Sequence, residues 1–201
     1  MTKMEDAFML DAQHESALAH VPEPTDTYVS IREIPTRGMI DLRGQVSDRK
    51  FMSTAKDVLG IDLPKAPRTS HSFGEVKALW LSPDQWLILC SHSKADTLQV
   101  ELSNALTKCH ASAVDVSDMR SIIRLEGDGA REVLMKSGSL DFTDGEFAPG
   151  YVRRMRFAEI AALIHIVEPN IIDLYVFRSH AQYAFDFLRK AARNGSKIGF
   201  K

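Results

Sequence analysis

The run Arg37-Gly38-Met39-Ile40-Asp41-Leu42-Arg43-Gly44 returns about 83 residues later as Arg120-Ser121-Ile122-Ile123-Arg124-Leu125-Glu126-Gly127. Each copy leads into a helical pattern and leaves it by a similar exit, Gly60-Ile61-Asp62-Leu63 in the first and Ser139-Leu140-Asp141-Phe142 in the second. A chain that repeats itself at this period builds the same supersecondary unit twice, and each unit offers an apolar face that the rest of the chain must cover.

The remaining elements fit that frame. Tyr28 to Ile34 alternates as a half-buried strand, and Met39 to Arg43 makes a second. Ser47 is a candidate N-cap for a helix that buries Phe51, Ala55, Val58 and Leu59 and stops at Gly60. Lys65 to Phe73 reads as a loop. It delivers the chain to Ala78-Leu79-Trp80-Leu81 and Trp86-Leu87-Ile88-Leu89, two apolar runs joined by the type I turn signal Ser82-Pro83-Asp84-Gln85. Arms this continuously apolar are covered on both faces, with helices of this chain on one and a partner as one candidate cover for the other.

Ser93 with Asp96 resembles a capping box before a helix over Ala95 to Cys109. The second half offers a short strand at Val114 to Val116, the repeated strand Arg120 to Gly127 and a helix over Asp128 to Ser137. Three β-rich runs follow, Arg153 to Phe157, Ile160 to Val167 and Ile171 to Phe177, and a helix capped by Ser179 and Gln182 closes the chain. The expectation is an α+β body of duplicated β-β-α-β-β-α units with antiparallel-rich sheets. An arm over residues 1–25 precedes a domain over 26–201, with half-repeats at about 26–110 and 111–201.

Length and charge narrow the function. A chain of 201 residues holds a core that needs neither disulfide nor metal. A formal net charge of −2 supplies no basic field for nucleic acid. No apolar run approaches the roughly 20 residues that span a bilayer. The start carries Glu5, Asp6 and Asp11 where a secretory leader needs a basic end, so a soluble cytoplasmic protein is expected, with Cys90 and Cys109 reduced.

Chemistry is sparse. Seven histidines are scattered without metal-ligand spacing, and no CxxC accompanies them. Cys109 and His110 are sequence neighbours, so their side chains diverge on a helix. Glu126-Gly127-Asp128-Gly129-Ala130 joins strand to helix with too few glycines for a phosphate turn, and Ser179 lacks the glycines of a nucleophile elbow. Asp115, Asp118 and Asp173 have no spacing that pairs them for acid and base work. Arg153, Arg154 and Arg156 can meet a polyanion or simply face solvent.

Four motifs in order carry a resemblance. Leu79 to Leu87, Val114-Asp115-Val116-Ser117-Asp118, Leu125 to Leu134, and Arg178-Ser179-His180-Ala181-Gln182-Tyr183 together resemble the gamma subunit of heterotetrameric sarcosine oxidase, from about residue 16 to about residue 193. Gln85, His180 and Phe185 to Phe187 depart from the family pattern.

The resemblance implies a non-catalytic structural or assembly subunit. In the family enzyme, sarcosine is demethylated to glycine, hydrogen peroxide is formed and the one-carbon unit passes to tetrahydrofolate. It also implies no cofactor in this chain: NAD and tetrahydrofolate lie in the alpha subunit, FAD in beta, FMN at the alpha-beta boundary and zinc in delta. Alpha, beta and delta subunits are the implied partners, with no nucleic acid and no membrane.

The family fold is similar to the folate-binding body of aminomethyltransferases, in which a strand carboxylate holds the pterin. Asp173, in Glu168-Pro169-Asn170-Ile171-Ile172-Asp173, stands at that carboxylate's place as the one remnant position. The alternative the resemblance leaves is a stand-alone folate-binding, aminomethyltransferase-like protein.

Overall fold

The computed structural model describes residues 15–34, 37–138, 140–143, 145 and 147–199. The first fourteen residues of the expected arm, the Pro35-Thr36 link and Ser139 of the second exit lie outside the described residues.

Each half has the element order β-β-α-β-β-β-α. The first runs through β1 Ser30–Ile34, β2 Arg37–Arg43, α1 Arg49–Leu59, β3 Ser70–Phe73, β4 Val76–Ser82, β5 Gln85–Ser91 and α2 Ala95–Ala105. The second runs through β6 Ser112–Asp115, β7 Arg120–Glu126, α3 Ala130–Met135, β8 Val152–Phe157, β9 Ile160–Glu168, β10 Ile171–Phe177 and α4 Ala181–Ala191.

Two five-stranded sheets result, β3-β4-β5-β2-β6 and β8-β9-β10-β7-β1, with every named pairing antiparallel. The halves exchange their first strands. Strand β1 pairs with β7, Ser30 opposite Glu126, and β6 pairs with β2, Ile40 opposite Asp115. Each sheet is completed by a strand of the other half, so neither half closes its own edge.

The layers follow from strand alternation. Ile40, Leu42, Ala78, Trp86 and Ile88 pack on Phe51, Ala55 and Leu59 of α1 and Leu102 of α2. Ile123, Leu125, Ile164, Ile172 and Leu174 pack on Val133 and Leu134 of α3 and Ala184, Phe185 and Leu188 of α4. Between the sheets, Met39, Leu79, Leu87 and Leu89 meet Ile122, Val152, Leu163 and Tyr175. The second face of the β4–β5 hairpin is therefore covered by this chain's own other sheet, and no partner is needed to explain its apolar run.

Several local expectations are corrected. The loop expected over Lys65 to Phe73 contains β3. Its polar sequence shows no alternation because it is an exposed edge strand ordered by pairing with β4. Asp48, not Ser47, caps α1, its Oδ1 accepting from the backbone N–H of Lys50 at 2.9 Å and Phe51 at 3.1 Å. The boxes expected at Ser93 and Ser179 do not form. Single 3₁₀ turns, His92–Lys94 and Arg178–His180, lead into α2 and α4, and Gln182 turns instead to Asp186.

The helix expected over Asp128 to Ser137 shortens to six residues, and Leu18, within the expected arm, is buried in the core beneath α3 and α4. No helix of the described residues is long and apolar enough to cross a membrane.

Candidate functional site

The inter-sheet layer is apolar at its centre and polar at both ends, and the residue types that can do chemistry collect at those ends. Asp173 lies on β10 opposite Arg124 of β7 and His165 of β9. It is 4% exposed. Arg124 grips it bidentately, Nε donating to Oδ1 at 2.7 Å and Nη2 to Oδ2 at 2.9 Å. The hydrogen bond to Asp173 holds the Arg124 guanidinium above its usual range despite burial. The cavity beside the pair, lined also by Arg37, Lys77 and Tyr175, holds about 10 Å³, too little for a flat bicyclic ligand. Asp173 is spent on its neighbour.

His165 and Lys77 extend this cluster. The Ser70 hydroxyl donates to the Gly150 carbonyl at 2.9 Å and lies 3.1 Å from His165 Nε2. Its single proton is already committed, so Nε2–H donates to Ser70 and Nδ1 is the unprotonated nitrogen. That Nδ1 is buried without a hydrogen-bond partner among the described residues. Burial pushes His165 down to about 4, with Lys77 and Arg124 opposing its charge as well. Burial likewise lowers Lys77 and raises Tyr175 well above a free phenol.

The other sequence candidates do not join this cluster. Asp115 accepts from the Ser117 backbone and hydroxyl at the end of β6. Cys90 is a buried free thiol raised by desolvation, and Cys109 packs against the core under α1 and α2. The turn at Glu126 to Ala130 is filled by protein: Gly127 adopts φ 128°, Asp128 accepts from Asn170 at 2.7 Å, and a Cβ on Gly129 would lie 2.3 Å from the Tyr28 ring. Gly129 is glycine because an aromatic ring occupies the space. Among the described residues no group of three or more His, Cys, Asp or Glu can hold a metal ion.

Of the three arginines singled out on β8, Arg156 is held by the Ala158 carbonyl and Glu159 in its own hairpin. Arg154 lines a cavity together with Arg43, Gln85 and Arg120. The sequence marks Gln85 only as a departure from the family pattern and gives Arg43 and Arg120 no site role. The signal for Gln85 was a polar residue in phase with the inward-facing Leu87 and Leu89, and for Arg120 one in phase with Ile122.

Glu132, on α3, is a structural anchor. Its carboxylate accepts from the backbone N–H of Ile198 at 2.7 Å and Gly199 at 3.0 Å and from the Tyr28 hydroxyl at 3.1 Å, with Lys136 Nζ 3.3 Å away. Burial pushes this acid upward, but those donors together pull it down to about 2. One side chain thus ties the lead into β1 and the C-terminal segment to the second half.

The described residues define a duplicated α+β scaffold whose inward carboxylate is committed to an internal ion pair. Its fold is similar to that of the glycine cleavage system aminomethyltransferase T from Bartonella henselae, with a TM-score of 0.61 and 13% identity over 82% of this chain and 46% of that one. The chain belongs to the sarcosine oxidase gamma subunit family, whose model matches residues 43–194.

It is 30% identical over 141 residues to the sarcosine oxidase subunit gamma of Corynebacterium sp. strain U-96, an alignment covering 68% of this chain and 65% of that relative's length. The fold is shared with a chain of the heterotetrameric sarcosine oxidase from the same organism, solved in complex with pyrrole 2-carboxylate. The TM-score there is 0.82 and identity 22%, covering 94% of this chain and 99% of the other.

Proposed function

We propose that this chain is the gamma subunit of a heterotetrameric sarcosine oxidase and acts as a non-catalytic brace for its cofactor-bearing chains. In this reading residues 26–201 form the body, with Leu18 of the preceding arm packed into its core. The partners are alpha, beta and delta subunits, which carry FAD, FMN, NAD, tetrahydrofolate and zinc, while the complex converts sarcosine to glycine with hydrogen peroxide and methylenetetrahydrofolate.

The observation that carries it is the bidentate Arg124–Asp173 pair. The carboxylate at the remnant pterin position is engaged on both oxygens, with about 10 Å³ of space beside it. A body that keeps the folate-binding architecture without a free carboxylate is suited to assembly rather than one-carbon chemistry.

Co-expression with the alpha, beta and delta chains, with and without this one, tests the reading. The full set is expected to yield a yellow complex that makes peroxide from sarcosine, and omission of this chain to lower its yield and stability. A colourless monomer that never joins the others overturns it.

Likeness to an aminomethyltransferase favours a second reading, a stand-alone folate-binding protein. Calorimetric titration of the isolated chain with tetrahydrofolate separates the two, since saturable binding lost in Asp173→Ala supports only the second.

A further inference from the structure

Arg120 and Arg124 both face inward from β7, four positions and so roughly 13 Å apart. Arg124 is ion-paired with Asp173, whereas Arg120 makes no ion pair among the described residues and has only the more distant Asp41 in its favour. A cavity of about 330 Å³ opens between the sheets at the Arg120 end, lined by Arg43 of β2, Leu81 of β4, Gln85 of β5, Arg154 of β8 and Phe177 of β10.

Three guanidinium groups converge there on few acceptors. Arg154 Nη2 donates to Gln85 Oε1 at 2.7 Å, and Gln85 Nε2 passes the contact on to Asp41 Oδ2 at 2.7 Å. Arg43 Nε stands 3.7 Å from Asp41 Oδ1. Asp41 is the one carboxylate in these contacts, and Asp84, near Arg43 and Arg154, is the second acid of the neighbourhood, so three guanidiniums face two carboxylates and the cluster keeps one positive charge in excess. Arg120 Nε is buried with no hydrogen-bond partner among the described residues, and its guanidinium sits 5.0 Å from the centre of the Phe177 ring. Burial and the nearby Arg154 both disfavour the charge on Arg120, and Asp41 offsets them only in part.

Two guanidiniums held near one another with no carboxylate hydrogen-bonded to either among the described residues are costly, and a carboxylate placed between them relieves both the repulsion and the unpaired donor. The volume matches a small organic ligand, and Phe177 and Leu81 offer an apolar wall beside the charge.

We infer that this cavity is a binding site for a small organic carboxylate, its acid held by Arg120 and Arg154 and its apolar part lying against Phe177 and Leu81. The site uses none of the residues around Asp173, and it stands whether or not the assembly reading holds.

Calorimetry on the full chain with benzoate as probe tests it, with benzamide as the uncharged control of the same shape. Saturable benzoate binding is expected, with benzamide silent. Binding is expected to weaken at least tenfold in Arg154→Gln, an exposed position outside the apolar core, and in Arg120→Gln. No saturable benzoate binding, or equal binding of benzoate and benzamide, overturns the inference, as does affinity unchanged in both variants.

A free acid and an acidic side chain of a neighbouring subunit share this chemistry. Benzoate binding that survives in the assembled oxidase assigns the site to a free acid, and binding present only in the isolated chain assigns it to a partner's carboxylate.

Discussion

Replacing Asp173 by alanine leaves the Arg124 guanidinium inside the inter-sheet layer with no counter-charge. The two side chains are 6% and 19% exposed, and both hydrogen bonds are short, so this is a buried pair and not a surface one. Breaking such a pair from one side costs about 3–5 kcal/mol, and the partial exposure of Arg124 places the expected loss near the lower figure. For a domain of this size a loss of about 3 kcal/mol lowers Tm by roughly 6–12 °C.

Urea unfolding followed by tryptophan fluorescence gives the free energy directly, provided the slope of the transition is unchanged. The double variant Asp173→Leu with Arg124→Met removes both charges and is expected to recover most of the loss, because an apolar pair of similar volume packs between Leu163, Ile122 and Leu89. A loss below about 1 kcal/mol in the single variant, or a double variant no better than the sum of the singles, refutes the claim that this carboxylate is engaged internally.

Acid titration of stability carries two separate signatures. His165 titrates near 4 in the folded chain and near 6.5 unfolded, so the unfolded state takes up the proton first. Stability is fully present above pH 6.5 and declines as pH falls towards 4, by about 3 kcal/mol in all, a slope that His165→Leu removes in urea melts across that range. Glu132, depressed from its ordinary 4.5 to about 2, contributes fully above pH 4.5 and loses its contribution as pH falls towards 2. Glu132→Gln flattens that lower limb and frees the C-terminal segment to proteolysis.

Gly129→Ala is expected to cost about 1–3 kcal/mol by driving Cβ into the Tyr28 ring, and Tyr28→Ala in the same chain makes the two losses less than additive in denaturant melts. A fragment over 111–201 lacks β1, leaving the β7 edge and Leu125 uncovered. It is expected to aggregate in sedimentation experiments, whereas the intact chain does not.

Much of this architecture was legible because strand and helix periods differ. The Trp86 to Leu89 run, the Phe51-Ala55-Leu59 stripe and the repeated strand announce their elements through burial patterns that only a strand or a helix produces. What escaped was either edge structure or long-range pairing. Ser70–Phe73 has no alternation of its own, and the exchange of β1 and β6 between sheets leaves no local trace, since Ser30–Ile34 alternates in the same way whichever strand it meets.

The site was legible only by position. Resemblance singled out Asp173, but its partner Arg124 lies 49 residues earlier and looked like one more polar residue in a β-strand. Arg43, Gln85 and Arg120 were hidden for the same reason. They are inward-facing polar residues whose convergence depends on how two sheets stack, and no spacing within one strand encodes that.

The proposed role of this sarcosine oxidase gamma-family chain is that of a brace within the oxidase assembly. Sedimentation velocity of the chain mixed with its flavin-bearing candidates, read by flavin absorbance, tests it most directly. The account predicts one boundary in which this chain and the flavin move together. A flavin boundary that forms and turns over sarcosine equally well without the chain, while the chain sediments alone, contradicts it.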